Sequence, residues 1–277
     1  MSYEQKIFII GDPHGSFIPF RDIDKYVKNN YQKLEEPPII IVLGDFGGNF
    51  FFTDRDDKFK AKLGKYNLQY FIIRGNHEER PSNLIKNNPE KWHTALFFHN
   101  LVYIEKKYPY IKYAIDEPSI YQIPIAKSKT IKTLVLPGAY SVDKQYRLKR
   151  GWSWFKDEQP TEIEKQIGIN LIKNNKDINL ILSHTCPISY EPTDLFLPQV
   201  DQSTVDSSTE EWLEQINKNI KPKLWAWGHF HTNRIYKNYN KIMLFNNAIF
   251  DLKKYFFNNS LQQSIVPLLS TANIQIF

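Results

Sequence analysis

The sequence predicts an α/β fold, a four-layer α/β/β/α sandwich in which two mixed sheets are flanked by helices. Five short apolar runs have the continuous hydrophobicity of strands that are buried on both faces. The stretch 93–137 instead contains several β-rich runs separated by turn residues, a pattern typical of a meander. We expect this meander to form the second sheet, while helical patterns between the strands supply the outer layers.

Three helices are predicted before the meander. The first follows the candidate N-cap Ser16 and has apolar residues at helical spacing, namely Phe17, Phe20, Ile23 and Val27. The charged segment 54–66 predicts a second helix whose narrow inner stripe contains Phe59 and Leu63. A third, short helix is expected around Asn83–Asn88, and Pro89 closes it.

The C-terminal half contains two candidate capping boxes, Thr161 with Glu164 and Ser208 with Glu211. The first box opens a helix that is expected to bury one apolar face, formed by Ile163, Ile167 and Leu171. The second opens a helix that ends before Pro222. Residues 235–250 predict two further strands.

A chain of 277 residues is long enough for one large α/β domain, and we expect a single domain over residues 1–277. The net charge of +6 favours an anionic partner, although a solvated Lys-rich surface explains most of the lysines. The only cysteine, Cys186, excludes an intrachain disulfide and allows a reducing compartment. Because no signal-peptide core or membrane-spanning run is found, we expect a cytoplasmic protein.

Each of the five apolar runs leads to a small residue and then to side chains that bind metals. The runs are Ile7–Ile10, Ile39–Leu43, Tyr70–Ile73, Leu180–Leu182 and Leu224–Trp227. The polar side chains that follow them are Asp12, His14, Asp45, Asn76, His77, His184, His229 and His231. The carboxyl ends of neighbouring strands in one sheet meet at one rim. Imidazole and carboxylate ligands in this number therefore predict a dinuclear metal site.

The order of the blocks GDPHG, GDFGG, RGNHE, SHT and GHFH resembles the calcineurin-like metallophosphoesterase superfamily over about residues 6–250. The stretches GNHEERP, GAYSVDKQYRLKRGWSWFKDEQ and SHTCPISYEPT are similar to a less studied branch found in Gram-positive bacteria and their phages. The resemblance implies two divalent metal ions, with Mn²⁺ first and Fe²⁺ or Zn²⁺ also suited to these ligands. It also implies that a hydroxide bridging the two metals attacks phosphorus in line.

The same resemblance divides the ligands into two sets that share one carboxylate. One metal would be held by Asp12, His14 and His231. The other would be held by Asn76, His184 and His229. Asp45 would bridge both ions, because a carboxylate has two oxygens to share between cations. His77 is the implied general acid, which protonates the leaving alkoxide or steadies the phosphate.

The second block departs from the serine/threonine phosphoprotein phosphatases, which carry GDxxDRG at this point. Gly48 stands where that pattern has the Asp that orients the acid histidine, and Asn49 stands where it has a phosphate-binding Arg. We therefore expect either that Glu78, a backbone carbonyl or water orients His77, or that His77 acts with less help. A phosphoprotein substrate is less favoured for the same reason.

A replacement grip on phosphate should come from a cation near the rim, because a guanidinium binds phosphate oxygens in bidentate fashion. The candidates are Arg55, Arg80, Arg147 and Arg150. We expect substrate contacts from Tyr140, Arg147 and Arg80. The nearby Trp152 and Trp154 are expected to pack in the core or a lid rather than to stack on a base.

The resemblance and the basic charge predict a metal-dependent phosphoesterase that favours phosphodiester or nucleotide-like substrates. One alternative is a phosphomonoesterase, including a serine/threonine phosphoprotein phosphatase, and another is a non-catalytic metal-binding scaffold. A nuclease that works with partner subunits ranks below both, because no additional DNA-binding domain is evident. The expected partner is a phosphorylated small molecule or nucleotide; nucleic acid is possible but not indicated, and no membrane partner is expected.

Overall fold

The computed structural model describes residues 5–31, 34–196, 198–269 and 272–277. The strands within these ranges are β1 (Ile7–Ile10), β2 (Ile39–Val42), β3 (Gln69–Ile72), β4 (Trp92–Phe97), β5 (Asn100–Glu105), β6 (Ile111–Ala114), β7 (Ser119–Ala126), β8 (Lys129–Leu136), β9 (Leu180–Ser183), β10 (Leu224–Trp227), β11 (Asn233–Tyr236), β12 (Lys241–Met243), β13 (Ala248–Asp251), β14 (Ile265–Pro267) and β15 (Ile274–Ile276). The α-helices are α1 (Ile18–Asn30), α2 (Asp54–Leu63), α3 (Pro81–Asn87), α4 (Lys144–Lys149), α5 (Glu162–Asn174), α6 (Ser208–Asn219), α7 (Leu252–Asn258) and α8 (Leu261–Ser264).

The strands form two mixed sheets. The first has the order β14-β13-β1-β2-β3-β6-β5-β4, and the second has the order β15-β11-β12-β10-β9-β8-β7. Parallel pairing runs from β1 through β2 and β3 to β6, and from β8 through β9 and β10 to β12. Antiparallel strands flank both parallel blocks. The predicted sandwich of two mixed sheets flanked by helices is confirmed.

Strand β1 shows why the apolar runs are continuous. Ile7 and Ile9 pack in the core between the two sheets, whereas Phe8 and Ile10 pack in the layer that contains α1 and α2. All four side chains are completely buried. A strand covered on both faces has no polar side, so alternation is lost from its sequence. The outer face of the second sheet is covered in the same way by α5 and α6.

The prediction for residues 93–137 was wrong in its assignment to one sheet. Strands β4, β5 and β6 extend the first sheet, because β6 pairs in parallel with β3, with Tyr70 opposite Ile111. Only the β7–β8 hairpin joins the second sheet. The β-rich runs in the sequence indicate where strands form but not which strands pair with one another, and this explains the error.

The N-terminal helices agree with the sequence pattern except at the start of α1. Helix α1 buries Phe20, Ile23 and Val27 as predicted, but its N-cap is Phe17 rather than Ser16 and no side chain caps it. The Ser16 hydroxyl accepts a hydrogen bond from the Ile18 amide at 3.3 Å. Helix α2 buries Phe59, Leu63 and two polar residues, and α3 occupies the predicted short segment.

The capping box at Thr161 and Glu164 is confirmed, but the predicted buried face of α5 is wrong. Ile163 is 76% exposed, and the helix buries Glu164, Gly168 and Ile172 instead. The second box is also wrong, because α6 begins at Ser208 itself and has no side-chain cap. Its first amide donates instead to Asp206 Oδ1 at 3.0 Å.

Three strands, rather than the two predicted, lie in and around residues 235–250. They are β11, β12 and β13, and β13 crosses to the first sheet, where it pairs antiparallel with β1. In the part of the chain that the structure describes, no helix is long and apolar enough to cross a membrane.

Candidate metal centre

The polar residues that follow five strands lie together at one rim. Strands β1, β2 and β3 lead to Asp12, Asp45 and Asn76, and strands β9 and β10 lead to His184 and His229. The His229 amide donates to Asp12 Oδ1 at 2.9 Å, and His184 Nε2 lies 2.7 Å from Asn76 Oδ1. These contacts join residues of the first sheet to residues of the second, as expected for strands whose carboxyl ends meet.

The backbone at this rim is strained. Five of its residues have a positive φ, namely Asp12 (44°), His14 (47°), Asp45 (49°), His229 (72°) and His231 (51°). Residues other than glycine seldom adopt this conformation. Each such residue costs about 1–3 kcal/mol and persists where the surrounding structure imposes it, often at functional sites. The concentration of strain therefore indicates a functional rim rather than ordinary loops.

Glycines next to these residues are required by close approach. Gly44 has φ +99°, and a Cβ atom there would overlap the His184 ring. A Cβ atom at Gly75 would overlap the Asp45 carboxylate. Gly44 thus requires glycine for both the turn and the contact, and Gly75 for the contact. This explains the small residue that follows the strands in the sequence pattern.

The first group of donor atoms comes from His14, Asp45 and His231. These atoms all lie within 4.8 Å of one another. His14 Nε2 is 2.8 Å from His231 Nε2 and 3.6 Å from Asp45 Oδ2. Burial lowers the pKa of His231 to about 4, which leaves its imidazole neutral at neutral pH. Neutral imidazole is the form that binds metals.

The second group comes from Asp45, His184 and His229, whose donor atoms are equally close. His184 Nδ1 lies 2.7 Å from the Leu43 carbonyl, which accepts a proton only if Nδ1 carries it. The lone pair of Nε2 then faces Asn76 Oδ1, because the Asn76 amide nitrogen donates elsewhere, to Ser141 at 2.8 Å. Two acceptors that face each other in a buried site are the arrangement that a cation stabilises.

Burial also sets the charge state of the ligands. It lowers the pKa of His184 and of His229, which favours the neutral imidazoles that bind metals. Burial alone would raise the pKa of Asp45, but attraction to the surrounding histidines in their protonated form, His184 first, brings it well below its ordinary value. Asp45 also accepts hydrogen bonds from the Asn76 amide at 3.0 Å and the His77 amide at 2.9 Å.

Asp12 gives an independent test of whether a metal fits. Its Oδ2 atom is buried and has no hydrogen-bond partner among the described residues. Burial, together with repulsion from Asp45, raises the pKa of Asp12 well above its ordinary value. A buried carboxylate beside another carboxylate is costly unless a cation neutralises it. The donor set consists of two groups that share Asp45, and Asp12 and Asn76 lie beside them. This set therefore fits a pair of divalent ions.

His77 lies next to both donor groups. Its ring centroid is 5.0 Å from that of His14, and the Phe50 ring stacks on it with centroids 5.8 Å apart. Burial lowers the pKa of His77, although the negative charge of Asp45 opposes this effect. Its Nε2 atom faces the carboxylate of Asp143, whose Oδ2 lies 3.8 Å away.

Asp143 is the carboxylate beside His77 that sequence reasoning missed. It is the N-cap residue of α4, and its Oδ1 lies 3.1 Å from Nε of Arg147, which is completely buried. Arg147 also contacts Ser141, which accepts the hydrogen bond from the candidate ligand Asn76. One polar network therefore connects a candidate ligand with the carboxylate that faces His77.

Glu78 does not take this position. Its Oε1 accepts a hydrogen bond from the Gly75 amide at 3.0 Å, and its side chain is buried beneath the loop. Burial raises the pKa of Glu78 to about 8. Glu78 therefore supports the loop that carries Asn76 rather than the imidazole of His77.

Comparison with known families identifies the chain. A family model described as calcineurin-like phosphoesterase matches residues 5–233, which includes every candidate ligand. The chain belongs to this family. The calcineurin-like phosphoesterases are metal-dependent hydrolases of phosphate esters, so the predicted resemblance and the predicted enzyme class are both confirmed.

Solved structures agree with the calcineurin-like fold. The crystal structure of TT1561 of Thermus thermophilus is similar to this chain with a TM-score of 0.52 and 11% identity, over 96% of this chain and 99% of that one. Another crystal structure is similar with a TM-score of 0.50 and 13% identity, over 92% of this chain and 96% of that one. At this identity the likeness concerns the fold alone. No curated protein matches the chain.

Arg80, expected to contact substrate, is engaged in a structural network instead. Its Nη1 forms an ion pair with Glu164 Oε1 at 2.5 Å, and its Nε donates to the Asp157 carbonyl at 2.8 Å. Its Nη2 donates to the Gln159 carbonyl at 2.9 Å. Arg80 is only 7% exposed and lines neither cavity beside His77. Its position ties α3 to α5 and offers no free donor to a phosphate.

Two cavities meet at His77 and Asp143. The larger cavity, of about 550 Å³, contains Tyr140 and the metal-site residues Asp45, Asn76, His229 and His231. The smaller cavity, of about 320 Å³, contains His14, Gly47, Phe50, Phe51, Arg55, Arg147 and Trp152. Tyr140 thus lies where a substrate contact is feasible, whereas Arg147 borders the smaller cavity but is completely buried, with its guanidinium against Asp143 and Ser141.

The remaining candidates divide between these cavities and the surface. Arg55 stacks on Phe51, with its guanidinium carbon 3.8 Å from the ring centroid. Trp152 is 50% exposed in the smaller cavity, so it is not a core residue. Trp154 packs beneath Lys144, whose Nζ lies 3.9 Å from its ring, and Arg150 lies on the surface over Tyr146.

Proposed function

We propose that this calcineurin-like phosphoesterase is a dinuclear-metal phosphodiesterase that acts on nucleotide-like or other small phosphodiesters. The observation that carries the proposal is the meeting of two cavities at His77. A phosphodiester has two organic substituents, and each cavity can accept one while phosphorus lies over the donor groups. A monoester would leave one cavity without an occupant.

The donor set supports the metal part of the proposal. Asp12, His14 and His231 would hold one ion, Asn76, His184 and His229 would hold the other, and Asp45 would bridge them. The bound ions would activate water for attack on phosphorus and neutralise the charge of the phosphate oxygens. Mn²⁺ is the ion we expect first, since the mixed oxygen and imidazole donors suit it.

The acid in this proposal is His77, which gives a proton to the leaving oxygen. Asp143 would hold the imidazole in position and stabilise its protonated form while the bond to phosphorus breaks. Arg147 would in turn hold Asp143, because its Nε lies 3.1 Å from Oδ1. Asp143 would thus supply, from a distant segment, the carboxylate that the GDFGG block lacks.

A phosphomonoesterase is the second candidate, and one observation favours it. Arg147 lines the smaller cavity beside His77, where a guanidinium could bind a terminal phosphate. However, Arg147 already contacts Asp143, Ser141 and the Ser153 carbonyl. A dianionic phosphate would have to displace these partners, so the monoesterase ranks second.

The test compares bis-p-nitrophenyl phosphate with p-nitrophenyl phosphate in the presence and absence of Mn²⁺. We expect metal-dependent turnover and a kcat/KM for the diester that is about tenfold or more above that for the monoester, a difference of about 1.4 kcal/mol. Trp152→Ala should raise the KM of the diester more than that of the monoester, while the exposed Phe257→Ala should change neither. Preference for the monoester, with no selective effect of Trp152→Ala, would favour the second candidate.

Replacing Asp143 by Asn should slow the reaction when the leaving group is a poor one. We expect kcat for a dinucleotide to fall about 10–100-fold, as for other residues that orient a functional side chain. With p-nitrophenolate as leaving group the loss should be small, because that anion departs with little protonation. A double-mutant cycle with His77→Gln should show strong non-additivity, since Asp143 acts through His77. Additive losses would show that Asp143 has no such role.

A further inference from the structure

Much of the lining of the larger cavity is apolar, which is unusual for an enzyme that acts on anionic substrates. Beyond the metal-site residues, its apolar lining comes mainly from the segment between β9 and α6 and from Phe230, and includes Ile188, Leu195, Phe196 and Val205. Among the residues that the structure describes, no lysine or arginine lines this cavity. The part of a substrate that enters it therefore meets mainly apolar surface and no lysine or arginine that could pair with a second phosphate or a carboxylate.

Glu210 is a buried polar group in this lining, which also contains Tyr140, Glu191, Gln202 and Ser207. It lies on α6, it is 4% exposed, and its Oε1 accepts a hydrogen bond from the Thr185 hydroxyl at 2.8 Å. Its Oε2 is buried and has no hydrogen-bond partner among the described residues. A buried carboxylate oxygen without a donor is costly, so an unpaired one in a cavity wall indicates a donor on the ligand.

A second acid strengthens the local negative charge. Glu191 lines the same cavity and lies close enough to Glu210 to raise its pKa by repulsion. Burial is the larger cause, and together they raise the pKa of Glu210 to about 7. Both effects disfavour the ionised carboxylate until a donor or a positive charge reaches it.

We infer that the larger cavity is a subsite for an apolar substituent of the phosphate ester that carries an N–H donor to Oε2 of Glu210. The donor is a neutral amino group, as on an amino-substituted aromatic ring, or an ammonium group. This inference rests on the proposed function, because it names the substrate class of the same site. It goes further by excluding substrates with a second anionic group at that end.

The experiment uses four p-nitrophenyl benzyl phosphates that differ only at the para position of the benzyl ring. This position carries hydrogen, an amino group, an aminomethyl group or a carboxylate, so the leaving group is constant and KM reports the subsite. At about pH 8, where Glu210 is ionised, one or both nitrogen-bearing esters should show a KM about tenfold below that of the parent ester. The carboxylate ester should show a higher KM than the parent. Preference for the amino ester identifies a neutral donor, and preference for the aminomethyl ester identifies an ammonium.

Matched variants assign the effect to one side chain. Glu210→Gln should abolish the preference for nitrogen-bearing esters, because the substituted amide is neutral and presents its own donor. Glu211→Gln makes the same change on the next, exposed residue and should retain the full preference. If Glu210→Gln does not fold, the same KM measurements are made on Glu191→Gln. We expect this variant to lose part of the preference for nitrogen-bearing esters.

Binding of the corresponding benzylphosphonates, measured by calorimetry, separates this inference from the proposed function. If the parent ester is not hydrolysed but aminobenzylphosphonate binds more tightly than benzylphosphonate in a Glu210-dependent way, the proposed function fails and the subsite stands. If the parent ester is hydrolysed while the nitrogen-bearing esters have the same KM as the parent, the subsite is refuted and the proposed function stands. A preference that survives Glu210→Gln also refutes it.

Discussion

Asp45→Asn should reduce hydrolysis of bis-p-nitrophenyl phosphate by about a thousandfold or more, because several kcal/mol of charge stabilisation depend on the carboxylate that would bridge the ions. Asp45 belongs to both donor groups. An amide at this position has one neutral oxygen in place of a shared negative charge. The variant should therefore bind fewer than two equivalents of Mn²⁺, as measured by calorimetry on metal-free protein.

The fold should survive this substitution. Without metal, Asp45→Asn removes the repulsion between Asp45 and Asp12 but also the attraction to the surrounding histidines, so its thermal midpoint should stay close to that of the unsubstituted protein. Added Mn²⁺ should raise that midpoint less than it does for the unsubstituted protein, because stabilisation by a ligand follows its affinity. Asp54→Asn, an exposed change at the start of α2, is the matched control and should behave as the unsubstituted protein. Full activity of Asp45→Asn with two metals bound would contradict the bridging role.

His77→Gln should have an effect that depends on the leaving group. For a dinucleotide, whose leaving group is an alkoxide, we expect kcat to fall by about 10²–10⁴-fold, the usual contribution of a general acid. For bis-p-nitrophenyl phosphate the fall should be much smaller, because p-nitrophenolate is a stable anion. Metal stoichiometry should not change, since His77 is outside the proposed ligand set.

The control for this prediction is His93→Gln, which replaces an exposed histidine on β4. It should leave both reactions unchanged. Equal losses for the two leaving groups in His77→Gln would mean that His77 binds phosphate rather than protonating the leaving oxygen.

The residues at the rim of the site could be predicted because each lies within a few sequence positions of the strand that places it there. Each of the five loops joins a buried strand, a small residue and a metal-binding side chain within a few positions, as at Ile39–Val42, Gly44 and Asp45. The pattern predicted which side chains the structure brings together. That residues 1–277 form one domain stays a prediction, which the core shared by both sheets supports.

The side chains around the rim were harder to predict because their contacts are not local. Asp143 faces His77 only because α4 packs against the loop after β3, and nothing near Asp143 in the sequence reports this. Arg80 lies only four residues after the candidate ligand Asn76, so a phosphate contact was predicted for its guanidinium. The structure places it against Glu164, a partner that depends on how α5 packs.

The same limit explains the errors in the fold. Ile163 is exposed because the buried face of α5 lies one residue further along the chain than predicted. The Arg80–Glu164 ion pair and the packing of Trp212 against Gly168 hold the helix in this orientation. The sequences of strands β4 to β6 resemble those of β7 and β8 in composition. Only the pairing of β6 with β3 assigns β4 to β6 to the first sheet. Helix faces and sheet membership are set by packing partners rather than by propensity.

Titration of metal-free protein with Mn²⁺ while following hydrolysis of bis-p-nitrophenyl phosphate tests the central claim most directly. Calorimetry in parallel gives the number of bound ions. The dinuclear phosphodiesterase predicts no turnover without metal, and activity that rises until two equivalents are bound. Full activity at one equivalent would contradict the dinuclear centre. Two bound ions without turnover of either the diester or p-nitrophenyl phosphate would contradict the proposed catalytic role.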